Sequence, residues 1–161
     1  MGRRDGDFET VVLPHTRSLL RFAIRLAGNA FLAEDLVQET LLLAWRGFRL
    51  FEPGSNARAW LFRILVNAFR QQKRKGRTSP TAEPLSHAVP VVQPSSHESV
   101  ELMQAFDLLS SDQRTVLLLA VVEGFTCREV SEILDVPIGT IMSRLSRARE
   151  VMRELLSEVV R

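Results

Sequence analysis

Four of the seven prolines in this sequence, Pro80, Pro84, Pro90 and Pro94, fall between Gly76 and His97. A proline inside a helix removes one backbone hydrogen bond and clashes with the preceding turn. No helix survives that spacing, and the serines among the prolines add nothing to a core. The run is also longer than the connections compact domains use. It therefore predicts a flexible linker over 76–97, with separate folded parts over 1–75 and 98–161. Apolar residues recur at helical spacing on both sides. The expected fold class is all-α: two small helical domains on a Pro-rich tether.

Apolar residues make up 45% of the 161 positions, ordinary for a protein with real cores. No apolar run reaches membrane-spanning length, which predicts no membrane insertion. The start, Met-Gly-Arg-Arg-Asp-Gly-Asp, turns acidic before any apolar stretch and does not read as a secretory signal. Gly6 stands where a myristoylation motif wants Ser or Thr. These features predict a cytoplasmic protein. Cys127 is the one cysteine, so no disulfide can close within the chain. His15, His87 and His97 are scattered, and no metal-ligand spacing exists. Neither a metal nor another cofactor is expected.

The net charge of +2 conceals an asymmetry. Residues 1–75 carry 13 Lys and Arg against 7 Asp and Glu, a net of +6. Residues 76–161 carry 8 against 12, a net of −4. A basic first half suggests a polyanionic partner.

In chain order, Asp7 to Leu26 reads as helical with an interruption near Pro14. Gly28-Asn29 ends that element, and Asn29 can cap the next helix, Ala30 to about Phe48. On its first half Glu34, Asp35, Gln38 and Glu39 cluster, with Leu42 and Trp45 continuing near the same side. This is a solvated acidic patch or a partly apolar docking face. Glu52–Asn56 is rich in turn formers, and Ser55 is the expected cap of a third helix from Asn56 to about Lys75. Trp60, Leu61, Ile64, Leu65, Ala68 and Phe69 are expected to pack inward. Arg63, Asn67, Arg70 and Arg74 follow at steps of four, three and four along one face. Arginines suit phosphates and an asparagine suits a base edge. Trp60 and Phe62 could stack on unpaired bases, although Trp60 at this spacing is more readily core.

Beyond the prolines a helix restarts near Glu98. Ser110 and Gln113 have capping-box spacing, and the apolar run Val116–Val122 reads as the centre of the second domain. Thr126 and Glu129 repeat the capping box. Asp135-Val136-Pro137 breaks that helix, and Pro137 suits the first turn of the next. Ile141, Leu145, Ala148, Met152, Leu155 and Val159 then form one apolar stripe. Thr140, Ser143, Arg144 and Arg147 lie on another side, and no acid falls between Ile138 and Arg149. Two helices with a short turn and a basic second helix make either a DNA-binding helix-turn-helix or a plain helical hairpin.

Three stretches carry a family resemblance: Asp35-Leu36-Val37-Gln38-Glu39-Thr40; Ala59-Trp60-Leu61-Phe62-Arg63-Ile64 with Asn67; and Pro137-Ile138-Gly139-Thr140 leading to Ser143–Arg149. In this order they resemble bacterial RNA polymerase sigma factors of the extracytoplasmic-function group, in the sigma-70 family. The resemblance implies that 1–75 corresponds to sigma region 2 and 98–161 to sigma region 4. It implies that Asp35, Gln38 and Glu39 dock on the coiled coil of the polymerase's largest subunit, and that the flap of the second-largest subunit is a further partner. Arg63, Asn67, Arg70 and Arg74, with the Phe51–Asn56 loop, would engage and open the minus-10 promoter element. Thr140, Ser143, Arg144 and Arg147 would read the minus-35 element. The resemblance also implies an anti-sigma partner and no catalytic activity. Met142 stands where the family often has a basic residue, and Ser131 replaces a small apolar residue common at the helix crossing.

Two other classes compete. A dimeric helix-turn-helix repressor or activator would account for Thr126–Arg149, but not for the Asn67 stripe or the acidic patch. A regulatory adaptor would keep the apolar faces without needing Arg144 and Arg147. An enzyme fits least, with no Gly-rich phosphate loop and no nucleophile–base pair at a recognisable spacing.

Overall fold

The computed structural model describes residues 2–78 and 97–159. All regular secondary structure among them is helical. The described residues form two compact units, α1–α4 and α5–α8.

In the first unit, α1 spans Gly2–Val12 and α2 spans Thr16–Ala27, with a tight 3₁₀ turn at Leu13–His15 between them. Pro14 sits in that turn, where the anticipated interruption falls. Gly28 leaves α2 at φ +70°, a left-handed conformation that costs glycine nothing. Asn29 then caps α3 (Ala30–Gly47), its Oδ1 accepting from the N–H groups of Phe31 at 2.8 Å and Leu32 at 3.2 Å. A second 3₁₀ turn, Phe48–Leu50, leads to the loop before α4 (Ala57–Thr78). The cap of α4 is Asn56, not Ser55. Asn56 Oδ1 accepts from Ala59 N–H at 3.0 Å, whereas the Ser55 hydroxyl turns back to donate to the Glu52 carbonyl at 2.6 Å. Either side chain could cap; the hydrogen bond inside the loop decides which one does.

Helices α2, α3 and α4 pack on one another, and α1 packs on α4. Leu19, Phe22, Ala23 and Leu26 of α2 meet Ala33, Leu36 and Ala44 of α3, and Leu61, Phe62, Leu65 and Val66 of α4, all buried. The Phe22 and Phe62 rings meet at 5.0 Å with planes 65° apart. Phe62 has no exposed surface, so it is core and not a stacking platform for bases. Trp60 and Ile64, expected inside, are only half-buried. The buried Thr40 hydroxyl donates to the Leu36 carbonyl at 2.7 Å, which removes the cost of hiding it.

Helix α4 continues through Gly76 to Thr78, and α5 (His97–Asp107) begins at His97. The outer edges of the anticipated linker are thus helical; the prolines lie outside the described residues. In the second unit α6 (Ser111–Leu117) starts with the Ser110–Gln113 capping box, its two hydrogen bonds at 3.1 and 3.2 Å. The backbone then widens into a π-helical segment, Leu118–Val122. Glu123 N–H reaches back five residues to the Leu118 carbonyl at 3.0 Å. This changes the expected core. Val116–Leu119 are buried, but Val121 and Val122 are 54% and 48% exposed, and Phe125 fills the interior in their place. Helices α5, α6 and α7 (Cys127–Leu134) all pack on α8 (Ile138–Val159).

Candidate nucleic-acid and polymerase interfaces

The helix-turn-helix is built by local bonds that fix where each helix starts and stops. Thr126 N–H donates to Glu129 Oε2 at 2.7 Å, and Glu129 N–H donates to Thr126 Oγ1 at 3.2 Å. Such reciprocal caps satisfy two backbone donors that a helix start would otherwise leave open. Asp135 ends α7 at φ +52°, a left-handed state that aspartate tolerates better than most residues. The Ser131 hydroxyl donates across the turn to the Val136 carbonyl at 2.6 Å. That bond is a role for the hydroxyl at a position where the resemblance leads one to expect an apolar side chain. Pro137 precedes the first turn of α8 instead of lying within it. Its carbonyl accepts from Thr140 N–H at 2.9 Å and Ile141 N–H at 3.2 Å.

On α8, Ile141, Leu145 and Ala148 are buried and Met152 and Leu155 half-buried, along the expected stripe. With 3.6 residues per turn, Ser143 lies nearly opposite Ile141, and Arg147 lies on the same outward side. Both are exposed. Thr140 is half-buried. Arg144 flanks the buried stripe; its side chain is 28% exposed, and Nη2 stands 3.4 Å from Asp112 Oδ2 at the start of α6. The four residues named from sequence therefore divide. Ser143 and Arg147 face outward, while Thr140 and Arg144 sit at the edge of the packing. Met142, Ser146 and Arg149 are also exposed on α8.

On α4, Arg63, Asn67 and Arg74 are exposed and Arg70 half-buried. Their spacing keeps them along one side over roughly 16 Å of helix. The hydrocarbon parts of neighbouring cations cover the core: Arg58 lies over Phe62 at 5.2 Å and Lys73 over Phe69 at 5.0 Å.

The loop before α4 rests on aromatic rings. Phe48 and Phe51 stack at 5.7 Å with planes 8° apart, and Trp60 lies 4.8 Å from Phe51. Phe8, from α1, meets Trp45 and Phe48 edge-on at 5.1 and 5.3 Å. A cavity of about 780 Å³ opens between α1 and this loop. Sequence reasoning passed over α1 as a contributor, because one phenylalanine and one aspartate on a short helix carry no pattern. His15, between α1 and α2, has its pKa lowered by burial and, secondarily, by the charge of Arg58.

On α3, Asp35, Gln38 and Glu39 are exposed. Phe31 (72% exposed), Leu42 and Trp45 share that outward side. Among the described residues no three His, Cys, Asp or Glu side chains are grouped to hold a metal ion. No described helix is long and apolar enough to cross a membrane.

Comparison with known proteins gives this arrangement its class, then its family. The model of sigma-70 region 2 matches residues 11–78, and that of sigma-70 region 4 matches residues 99–152. The chain is 42% identical to the ECF RNA polymerase sigma factor EcfG of Rhodopseudomonas palustris, over 90% of this chain and 82% of that one. It is 33% identical to the RNA polymerase sigma factor CarQ of Myxococcus xanthus, over 97% and 94%. Against SigE of Mycolicibacterium smegmatis identity is also 33%, over 94% of this chain and 62% of that one. A similar solved chain belongs to the co-crystal structure of the sigma factor RpoE with the anti-sigma factor NepR from Bartonella quintana. The TM-score is 0.80 and the identity 40%, over 94% of this chain and 97% of that one. The chain belongs to the sigma-70 family of RNA polymerase sigma factors, in its extracytoplasmic-function group. A sigma factor directs promoter-specific initiation of transcription, and that is the function of this protein.

Proposed function

We propose that the two units divide that function between them, with the first docking on polymerase and opening DNA and the second reading duplex. The outward side of α3 supports the first role. Acceptors from Asp35, Gln38 and Glu39 surround apolar Phe31, Leu42 and Trp45, the mixture of partner surfaces that exclude water and still need orienting contacts. The partner is the coiled coil of the largest polymerase subunit, and the flap of the second-largest subunit takes the second unit. Arg63, Arg70 and Arg74 track phosphates at the minus-10 element, and Asn67 reads a base edge. The Phe51–Asn56 loop takes up an unpaired nontemplate base. Capturing a base pays off most where the duplex is already opening, so recognition and melting are coupled.

In the second unit, α8 enters the major groove at the minus-35 element. Ser143 and Arg147 reach the bases, and Thr140 and Arg144 flank them. Two modules on one chain raise the effective concentration of each at its own element. The protein itself contributes recognition and no catalytic step, uses no cofactor, and acts in the cytoplasm. An anti-sigma partner is supported by the RpoE relative, which was solved with NepR.

The observation that carries this reading is the outward side of α3, which a stand-alone repressor has no need of. The test is reconstitution with core polymerase and sequencing of transcript starts. The intact protein is expected to move the start sites, and a variant with Asp35, Gln38 and Glu39 all replaced by Ala to lose core binding. In the same assay Asn67→Ala is expected to relax base choice at one minus-10 position. A protein that binds its DNA alone and ignores core polymerase would refute the reading.

A further inference from the structure

We infer that α1 is part of the base-capture site and that Asp7 selects which base is captured. This rests on the reading above, that the Phe51–Asn56 loop takes up an unpaired nontemplate base. The cavity beside the loop, about 780 Å³, falls in the size range of small-ligand sites. Phe48, Phe51 and the loop line one part of it; Asp7, Thr10 and Val11 of α1 line another. Asp7 and Phe8 precede the segment that matches sigma-70 region 2, which starts at residue 11.

Aromatic contacts tie α1 to this place. The Phe8 ring stands edge-on to Trp45 and to Phe48, with interplanar angles of 86° and 89°. Phe48 in turn stacks on Phe51, the first residue of the loop. Edge-to-face and offset-stacked pairs add about 0.5–1.5 kcal/mol each beyond their burial. Helix and loop are therefore linked through side chains as well as through the chain.

The lining sets the ligand chemistry. The half-buried rings of Phe48 and Phe51 offer flat apolar surface, which suits any base. Arg49 supplies the one cation of the lining and suits the phosphate of a strand passing the rim. Asp7 supplies the one anion. An ionised carboxylate can only accept hydrogen bonds. It takes one from the exocyclic amino group of cytosine or adenine, and it repels the carbonyl oxygen that thymine or guanine places at the corresponding position. Its repulsion of phosphates is the same for every sequence, so it lowers affinity without choosing a base. Asn67 lies ten residues along α4 from Ala57 at the cavity's edge, roughly 15 Å away. The cavity and Asn67 thus serve different positions of the promoter.

The experiment uses full-length protein bound to core polymerase, with fork promoters unpaired across the minus-10 element. Each unpaired nontemplate position carries cytosine, adenine, thymine, guanine or an abasic residue in turn. At one position the abasic residue is expected to weaken wild-type binding, and cytosine or adenine to bind about 5- to 10-fold tighter than thymine or guanine, the low end for a single base contact. Asp7→Asn should compress that order to within about twofold, because an amide offers both a donor and an acceptor. Asp7→Glu should keep its direction. If the abasic residue weakens binding but Asp7→Asn leaves the base order unchanged, the role of α1 is overturned while base capture stands. If no position responds to an abasic residue, base capture itself fails and Asp7 with it. Affinity for core polymerase, measured in parallel, separates these results from misfolding.

Discussion

The two units differ most in where their rings lie. Both tryptophans and seven of the nine phenylalanines belong to the first half of the chain. There Phe48, Phe51 and Trp60 remain half-buried beside an open cavity. The second unit has only Phe106 and Phe125, the latter buried. It relies instead on two capping boxes and a hydroxyl-tied turn to aim one helix. Exposed ring faces suit bases that have left the stack. A rigid helix with a short polar edge suits a groove in intact duplex. Each unit is equipped for one state of DNA and poorly for the other, which explains why a single chain carries both.

The sharpest way to break this comparison is at Phe62. Phe62→Ala is expected to destabilise the first unit by about 3–5 kcal/mol, the range for deleting a buried aromatic. Calorimetry on the full chain should show the loss. A variant that melts like wild type and fails only at promoter opening would return Phe62 to the DNA surface. Next in size is Arg147→Ala. It should cost about 1–3 kcal/mol of minus-35 discrimination, read as binding to duplexes with altered bases. Opening of a promoter already unpaired at the minus-10 element should change little, and equal loss in both assays would erase the division of labour. The smallest effect is expected at His15. Its folded pKa is lowered, first by burial and then by Arg58, so the unfolded chain takes up a proton more readily. Stability is full above the ordinary histidine value of about 6.5 and declines as pH falls through it toward the folded value. His15→Gln should flatten the melting temperature across that window, and an unchanged pH profile would show that His15 does not contribute.

Much of the scaffold could be read from side-chain chemistry. Asn29, Ser110 and Thr126 each cap the helix their spacing announces, because capping is local and needs only a few residues. The stripes on α4 and α8 follow from the helical period. What escaped reading depends on partners distant in sequence or on a change of period. Ser55 and Asn56 are equal candidates for one cap until the Glu52 carbonyl claims the serine. Arg144 looks like Arg147 until Asp112 of another helix comes within 3.4 Å. Such a part-exposed pair contributes at most about 1 kcal/mol, little enough for DNA to compete for the arginine. Val121 and Val122 read as core on a 3.6-residue period, and the backbone abandons that period at Leu118. The cavity wall on α1 depends on Phe8 meeting rings some forty positions later, which no short-range pattern encodes.

The widened segment at Leu118–Val122 has a consequence for how this protein tolerates change. It accommodates one more residue than an ordinary turn, so removing Ala120 would let the coil close back to regular pitch. Everything downstream would then be swivelled by about 100° about the local axis. The valines that now face outward would turn toward the interior, Phe125 would leave it, and the groove-reading helix would start from a different bearing. A one-residue deletion there would disarm promoter choice more thoroughly than most substitutions on the reading helix itself.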